Sequence, residues 1–309
     1  MIGTLVGALA AFAIASPAAA HSAIEASLPH SQTRPTIVRN VPQKRRLNSV
    51  GVKTSARSVF VADIASGEVL YAKDPHRVQS IASLTKLVTA MLFLDQKPDL
   101  TRTITIEDSD EDVENKAVLA PGEVFTQGDL LKAMLIGSVN AAANALARST
   151  RFLDGPEMGK EKFVEQMNAK MAKHHLRSPR FVDPSGLDDG NRANAADVAA
   201  ILSIALTYPE IRAATKLADV TVQDQLTQKK IKLKSTNLLL SSFLNQKPFG
   251  IVAAKTGSLP RAGYCMAQVT KRADGHQIVA VELGSENTFS RFQDIKALTA
   301  WAFDTYQWQ

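Results

Sequence analysis

The sequence predicts a mixed α/β (α+β) domain, with an antiparallel sheet built from both chain ends and a helical cluster inserted between them. Three observations predict it. Strand-like segments open the folded region, others close it, and helical periodicity fills the middle.

Ser58-Val59-Phe60-Val61-Ala62-Asp63 reads as a strand, Ser66-Gly67 as a turn, and the segment 68–72 as the return strand of a hairpin. Apolar residues three and four apart then predict helices over 83–94, 127–136, 140–148, 160–174 and 195–206. Late strands over 250–254, 263–270 and 277–283 precede a closing helix over about 290–303. No internal repeat interrupts this order.

Composition agrees with a chain that buries a core: of 309 residues, 45% are hydrophobic and 21% charged. The net charge of +6 attracts polyanions, but no nucleic-acid-binding signature accompanies it, and no nucleic-acid partner is predicted. The single cysteine, Cys265, precludes an intramolecular disulfide and lies in an apolar run, where a small buried side chain is expected. The six histidines lack metal-ligand spacing, and His174-His175 reads as cations near a helix end. No metal or cofactor is predicted.

An apolar stretch from Leu5 to Ala20 ends Ala18-Ala19-Ala20, which fits the small-residue rule for signal-peptide cleavage. The stretch is short for a membrane span, and no basic residue precedes it. Export with residues 1–20 removed is the expectation, a retained anchor the rival. Residues 21–55 are polar, carry Pro29, Pro35, Pro42 and the run Lys44-Arg45-Arg46, and predict a flexible basic linker. The folded domain is expected over 56–309.

The chemistry starts at Ser83-Leu84-Thr85-Lys86, the only S-x-x-K in the chain. A serine hydroxyl is a poor nucleophile until a base takes its proton. On a helix the two residues share a face, so the Lys86 amine would reach the Ser83 hydroxyl, acting as base once its pKa is lowered. Two further groups suit this pair. Ser138-Val139-Asn140 falls between two helical segments, where a capping role is the ordinary alternative. Lys255-Thr256-Gly257 follows an apolar strand, whose end would present a cation, a hydroxyl and a close backbone approach.

S-x-N also occurs at Ser235-Thr236-Asn237 and Ser285-Glu286-Asn287. The order nucleophile, S-x-N, K-T-G excludes the copy at 285. The copy at 235 leaves only 20 residues before Lys255 (255 − 235), whereas Ser138 stands 55 residues after Ser83 and leaves room for the helical insert.

In this order the three motifs resemble those of β-lactamases and penicillin-binding proteins. The segment 81–90, the F-x-x-P-S-G-L loop 181–187, Thr236-Asn237-x-Leu239, Lys255-Thr256-Gly257 and Ala262-Gly263-x-Cys265 together resemble the low-molecular-mass D-alanyl-D-alanine peptidases. The likeness runs from about Arg57 to Trp301 and is nearest to the periplasmic endopeptidases that cut D-alanyl-diaminopimelyl crosslinks. It implies a penicillin-binding transpeptidase/β-lactamase-like fold. The middle residue Val139 departs from the polar residue usual there, with an effect expected at the groove's rim.

The resemblance implies roles. Ser83 is the acylated nucleophile, Lys86 its base, Ser138 the proton relay to the leaving amine, and Asn140 orients Lys86 and the substrate amide. The backbone N–H groups of Ser83 and Ser258 form the oxyanion hole. Lys255, with Thr256 and Gly257, binds the substrate carboxylate and makes Lys86 less basic. Peptidoglycan stem peptides are the implied substrate and β-lactams the inhibitors. No E-x-x-L-N segment supplies a β-lactamase's water-activating base, and no G-x-S-x-G elbow supports a Ser-His-Asp triad. A carboxypeptidase of this family and a catalytically idle wall-binding scaffold are the alternatives. The chain's stopping soon after the closing helix, with neither further domain nor amphipathic anchor, favours a freely soluble endopeptidase.

Overall fold

The computed structural model describes residues 41–111, 118–151, 157 and 159–308. The expected signal peptide and residues 21–40 of the expected linker lie outside the described residues. In chain order the elements begin with β1 (Gln43–Lys44), β2 (Ser58–Asp63), β3 (Val69–Lys73), β4 (Gln79–Ser80) and α1 (Lys86–Asp95). There follow β5 (Thr103–Thr105), β6 (Val124–Thr126), α2 (Gln127–Ile136), α3 (Asn140–Ser149), α4 (Gly159–Lys173), β7 (Arg192–Ala193), α5 (Ala195–Ala205) and α6 (Pro209–Ala214). The last are β8 (Asp219–Gln223), β9 (Lys230–Lys234), β10 (Phe249–Leu259), β11 (Gly263–Arg272), β12 (Gln277–Ser285), α7 (Thr288–Thr305) and β13 (Tyr306–Gln307).

The main sheet has five antiparallel strands in the order β10-β11-β12-β2-β3. Its two halves come from opposite chain ends and join where β12 meets β2, from Ile278↔Asp63 to Leu283↔Ser58. Because successive side chains point to opposite faces, each strand feeds two cores. On one face Ala267, Val269, Val279 and Val281 pack under the helical cluster. On the other Met266, Ala280, Val59 and Val61 meet Phe292, Ile295 and Leu298 of α7.

Within the cluster, α1 is buried on every side from Lys86 to Phe93. A helix apolar all round must be enclosed, and α2, α3, α4 and α5 all contact it. The start of α1 is thereby held rigidly between cluster and sheet.

The flexible-linker expectation fails for residues 41–55. Gln43 and Lys44 pair with Gln307 and Tyr306, and Ser49 Oγ accepts from Trp301 Nε1 at 2.6 Å. Ser55 donates to Asp294 Oδ2 through both N and Oγ, each at 2.8 Å. This segment has no apolar period because hydrogen bonds to distant residues hold it, beyond the reach of local pattern reading. A second correction concerns β10, which runs on to Leu259 and places Lys255 mid-strand rather than at a strand end. The hairpins β5–β6 and β8–β9 and the short α6 were not expected from the sequence. Among the described residues, no helix is long and apolar enough to cross a membrane.

Candidate active site

Ser83 lies in a 3-10 turn, Ala82–Thr85, just ahead of α1, rather than within the first turn of an α-helix. Ala82 is left-handed (φ 48°), and Thr85 Oγ1 donates to Ala82 O at 2.8 Å. The loop 183–187 presses on this turn from outside. A Cβ at Gly186 (φ 80°) would sit 2.2 Å from Ala82 O, so glycine is required both for its conformation and for the close approach.

Asp183 organises that loop, accepting from Ser185 N, Ser185 Oγ, Gly186 N and Asp188 N at 2.6–2.9 Å. Burial opposes ionisation of Asp183, but the donors from Asp188, Ser185 and Gly186 together hold its carboxyl below the usual range.

Lys86 is fully buried. Its Nζ stands 3.0 Å from Ser83 Oγ and donates to Asn140 Oδ1 and to Ser185 O, both at 2.5 Å. Asn140 opens α3, and Val139 is that helix's N-cap without a side-chain cap bond. Ser138 is left-handed (φ 58°), which aims its Oγ at Lys255 Nζ, 2.8 Å away; it is not a helix cap. Val139, expected at the rim, is buried in the core.

Lys255 is 1% exposed and also donates to Thr256 O at 2.9 Å. Burial pushes its amine well below the ordinary lysine value, and the charges of Lys86 and Arg291 push it further. Thr256 Oγ1 shares a 2.6 Å hydrogen bond with Thr236 Oγ1. Gly257 passes so close to the nucleophile turn that a Cβ there would lie 2.9 Å from Ser83 N and 2.8 Å from Ile81 O. Ser258 follows on the exposed end of β10. All eight residues singled out in the sequence therefore fall in three neighbouring places: the turn before α1 with that helix's first residue, the α2–α3 junction and strand β10.

The structure adds groups that the sequence did not single out. The Ser185 carbonyl fixes Lys86; the loop motif at 181–187 pointed to the segment but not to that oxygen. Arg291 of α7 donates to Gly257 O at 3.0 Å and to Cys265 O at 3.4 Å, bracing the strand that carries Lys255. Its signal in the sequence was a lone cation on the apolar face shared with Ile295 and Leu298. Burial pushes the Cys265 thiol up to about 12, consistent with an inert small side chain. A cavity of about 700 Å³ adjoins the site, lined by Asn144, Lys160, Ser185, Asp188, Leu259 and Arg261.

With this geometry in view, comparison with known proteins is decisive. Residues 44–287 match the model of peptidase family S11, D-alanyl-D-alanine carboxypeptidase. The chain belongs to this family. It is a serine-type peptidase, and its mixed fold is that of the DD-transpeptidase and penicillin-binding domains. A D-alanyl-D-alanine endopeptidase of Pseudomonas aeruginosa is 31% identical over 79% of this chain and 76% of its own length. A D-alanyl-D-alanine carboxypeptidase of Bacillus subtilis is 28% identical over 82% of this chain and 63% of its own. Among solved structures, penicillin-binding protein D2 of Listeria monocytogenes in its cefotaxime-bound form is 28% identical with a TM-score of 0.69, covering 82% of this chain and 100% of that one. The DD-transpeptidase of Streptomyces K15, at 24% identity and a TM-score of 0.73, covers 83% of this chain, all of its own, and shares the fold.

Proposed function

We propose that this S11 peptidase is an exported D-alanyl-D-alanine endopeptidase of peptidoglycan, with Ser83 as the acylated nucleophile and Lys86 as its base. One observation carries the mechanism. Asn140 Oδ1 and Ser185 O can only accept, so each takes an N–H from the Lys86 amine. In the structure Nζ also stands as donor to Ser83 Oγ at 3.0 Å; once deprotonated, the amine keeps the two other donations and can turn its lone pair to that hydroxyl.

The Ser83 Oγ–H proton passes to Lys86 as Oγ bonds to the carbonyl carbon of the D-Ala residue. The oxyanion is held by the N–H groups of Ser83 and Ser258, which the close passage of Gly257 brings near each other. The C–N bond breaks as Ser138 relays to the leaving amine the proton that Lys86 took from Ser83, which leaves Lys86 neutral again, while Lys255 Nζ holds the Ser138 hydroxyl at 2.8 Å. Lys255 and Thr256 supply donors for the substrate carboxylate. Water attack on the ester then returns Ser83, with Lys86 again as base. The 700 Å³ cavity beside Asn144 and Leu259 gives room for the rest of a stem peptide.

The endopeptidase reading is supported by similarity to D-alanyl-D-alanine endopeptidases of Pseudomonas aeruginosa, Haemophilus influenzae and Escherichia coli. A β-lactam ring presents the same kind of amide carbonyl to Ser83, and structures of a neighbour in cefotaxime-bound and ampicillin-bound forms support β-lactam binding here. The apolar N-terminal stretch ending Ala18-Ala19-Ala20 supports cleavage after Ala20 and export to the periplasm. We read the peptidase domain from residue 41 onward, since the segment 41–55 is tied to β13 and α7.

Incubation with crosslinked muropeptide dimers and with pentapeptide monomers tests this reading. Dimers are expected to shrink and monomers to persist, with Ser83→Ala inactive and unlabelled by fluorescent penicillin. Trimmed monomers with intact dimers would make the enzyme a carboxypeptidase, and penicillin labelling of the variant would remove Ser83 from its role.

A further inference from the structure

The hairpin β8–β9 carries a row of lysines that the chemistry of the site does not use. In β9, Ile231 and Leu233 face inward, and Leu233 is buried among the core side chains. Lys230, Lys232 and Lys234 alternate with them and are exposed. Alternate residues of a strand lie about 6.8 Å apart, so the three ammonium groups form a line about 14 Å long. The facing residues of β8 are Gln223, Thr221 and Asp219, in that order. One carboxylate, Asp219, thus meets three cations, and its ion pair with Lys232 at 3.3 Å is solvent-exposed. The neighbouring Lys229 differs, being paired with Glu123 at 2.7 Å.

The row does not stand apart from the catalytic groups. Lys234 is followed by Ser235, whose N donates to Ala218 O, and by Thr236, whose N donates to Ile136 O. Thr236 Oγ1 then meets Thr256 Oγ1 beside Lys255. Inside the hairpin, Leu233 packs on Gly137, where a Cβ would lie 3.4 Å from the leucine Cβ, one residue before Ser138. The hairpin is therefore anchored at both walls of the site, and its line of charge runs outward from the rim.

We infer that the Lys230-Lys232-Lys234 row is an exosite for the carboxylate-bearing stem peptides of the wall polymer, holding the strand whose crosslink enters the site. This inference rests on the peptidoglycan reading above. Stem peptides away from the scissile bond carry free carboxylates, and a polymer presents them in series, as a line of cations requires. The row acts on long-range attraction and on retention of polymer, not on bond cleavage, so salt should weaken it.

The test is co-sedimentation of the full chain with purified peptidoglycan sacculi, with sacculi whose free carboxylates are amidated, and with phosphatidylglycerol vesicles. The comparison is between wild type and the triple variant Lys230→Gln, Lys232→Gln, Lys234→Gln. The variant is expected to bind native sacculi about tenfold more weakly, with a flatter salt dependence. Amidation should bring the wild type to the variant's level, a result that needs no mutant to fold. Penicillin acylation and cleavage of soluble dimers should stay within about twofold, which also shows the variant folded. Equal binding of native and amidated sacculi by the wild type, unchanged binding by the variant, or row-dependent preference for vesicles would each overturn the exosite. Failure of wild-type penicillin labelling would instead strike the enzymatic reading and is scored separately.

Discussion

The Lys255 amine donates to Ser138 Oγ at 2.8 Å across 117 residues of sequence. This contact joins strand β10 to the α2–α3 junction, and it places a second buried amine within electrostatic reach of Lys86.

The first prediction concerns that amine. Burial, then the charges of Lys86 and Arg291, set its pKa well below the ordinary 10.5. Between that depressed value and 10.5 the unfolded chain binds a proton that the folded chain does not. Stability from this group therefore rises with pH through that window. Lys255→Met removes the titration, so the melting temperature of the wild type should gain on the variant as pH rises toward 10.5. Acylation by penicillin should fall about 10²–10³-fold through loss of a donor from the site. A melting difference that ignores pH would contradict a depressed buried amine at 255.

Gly186 yields the second prediction. Alanine there meets Ala82 O at 2.2 Å in a backbone at φ 80°, so either the loop or the nucleophile turn must move. Gly186→Ala is expected to cost about 2–4 kcal/mol of stability and to slow acylation more than tenfold. Gly275→Ala is the control: its φ is 100°, but nothing lies within 4 Å of the added Cβ. It should cost about 1–2 kcal/mol in backbone strain alone, with acylation unchanged. Chemical denaturation and stopped-flow labelling read both. Equal acylation by the two variants would separate the Asp183 loop from the nucleophile's position.

The contrast between these sites shows what the sequence made legible. Ser83, Lys86, Ser138, Asn140 and the Lys255–Ser258 segment were readable because each sits in a short motif whose order along the chain is constrained. The sheet halves were readable because their strands contain runs of buried apolar residues, such as 278–281. Residues 41–55 were misread because their ties, Ser55 to Asp294 and Ser49 to Trp301, are hydrogen bonds spanning more than 200 positions. The length of β10 was misread because Lys255 and Thr256 looked like a strand's polar end. They are buried within the strand, where Ser138 and Thr236 satisfy them. The hairpin β8–β9 escaped notice because its lysines masked the alternation of Ile231 and Leu233.

The third prediction comes from Glu282, a fully buried carboxyl on β12 whose two oxygens have no hydrogen-bond partner among the described residues. Burial raises its pKa well above 4.5, and the nearby negative charge of Asp294 adds to this. The Ser285 hydroxyl and Arg291 act in the opposite sense and only partly offset it; Ser285 Oγ falls short of hydrogen-bond geometry. The folded chain thus keeps a proton that the unfolded chain releases above about 4.5. The sign follows: this group's stabilising contribution is complete below 4.5 and is lost as pH rises through the folded value. Glu282→Gln keeps the shape and cannot ionise. Its melting temperature should exceed that of the wild type by about 3 °C or more at pH 8, and the gap should close as pH approaches 4.5. Ser55→Ala removes only the part-buried hydroxyl donation to Asp294 and keeps the backbone one, so the gap should persist in that background. A variant less stable than wild type at pH 8, with the deficit growing at higher pH, would mean that Glu282 is ionised in the fold and engaged with Arg291.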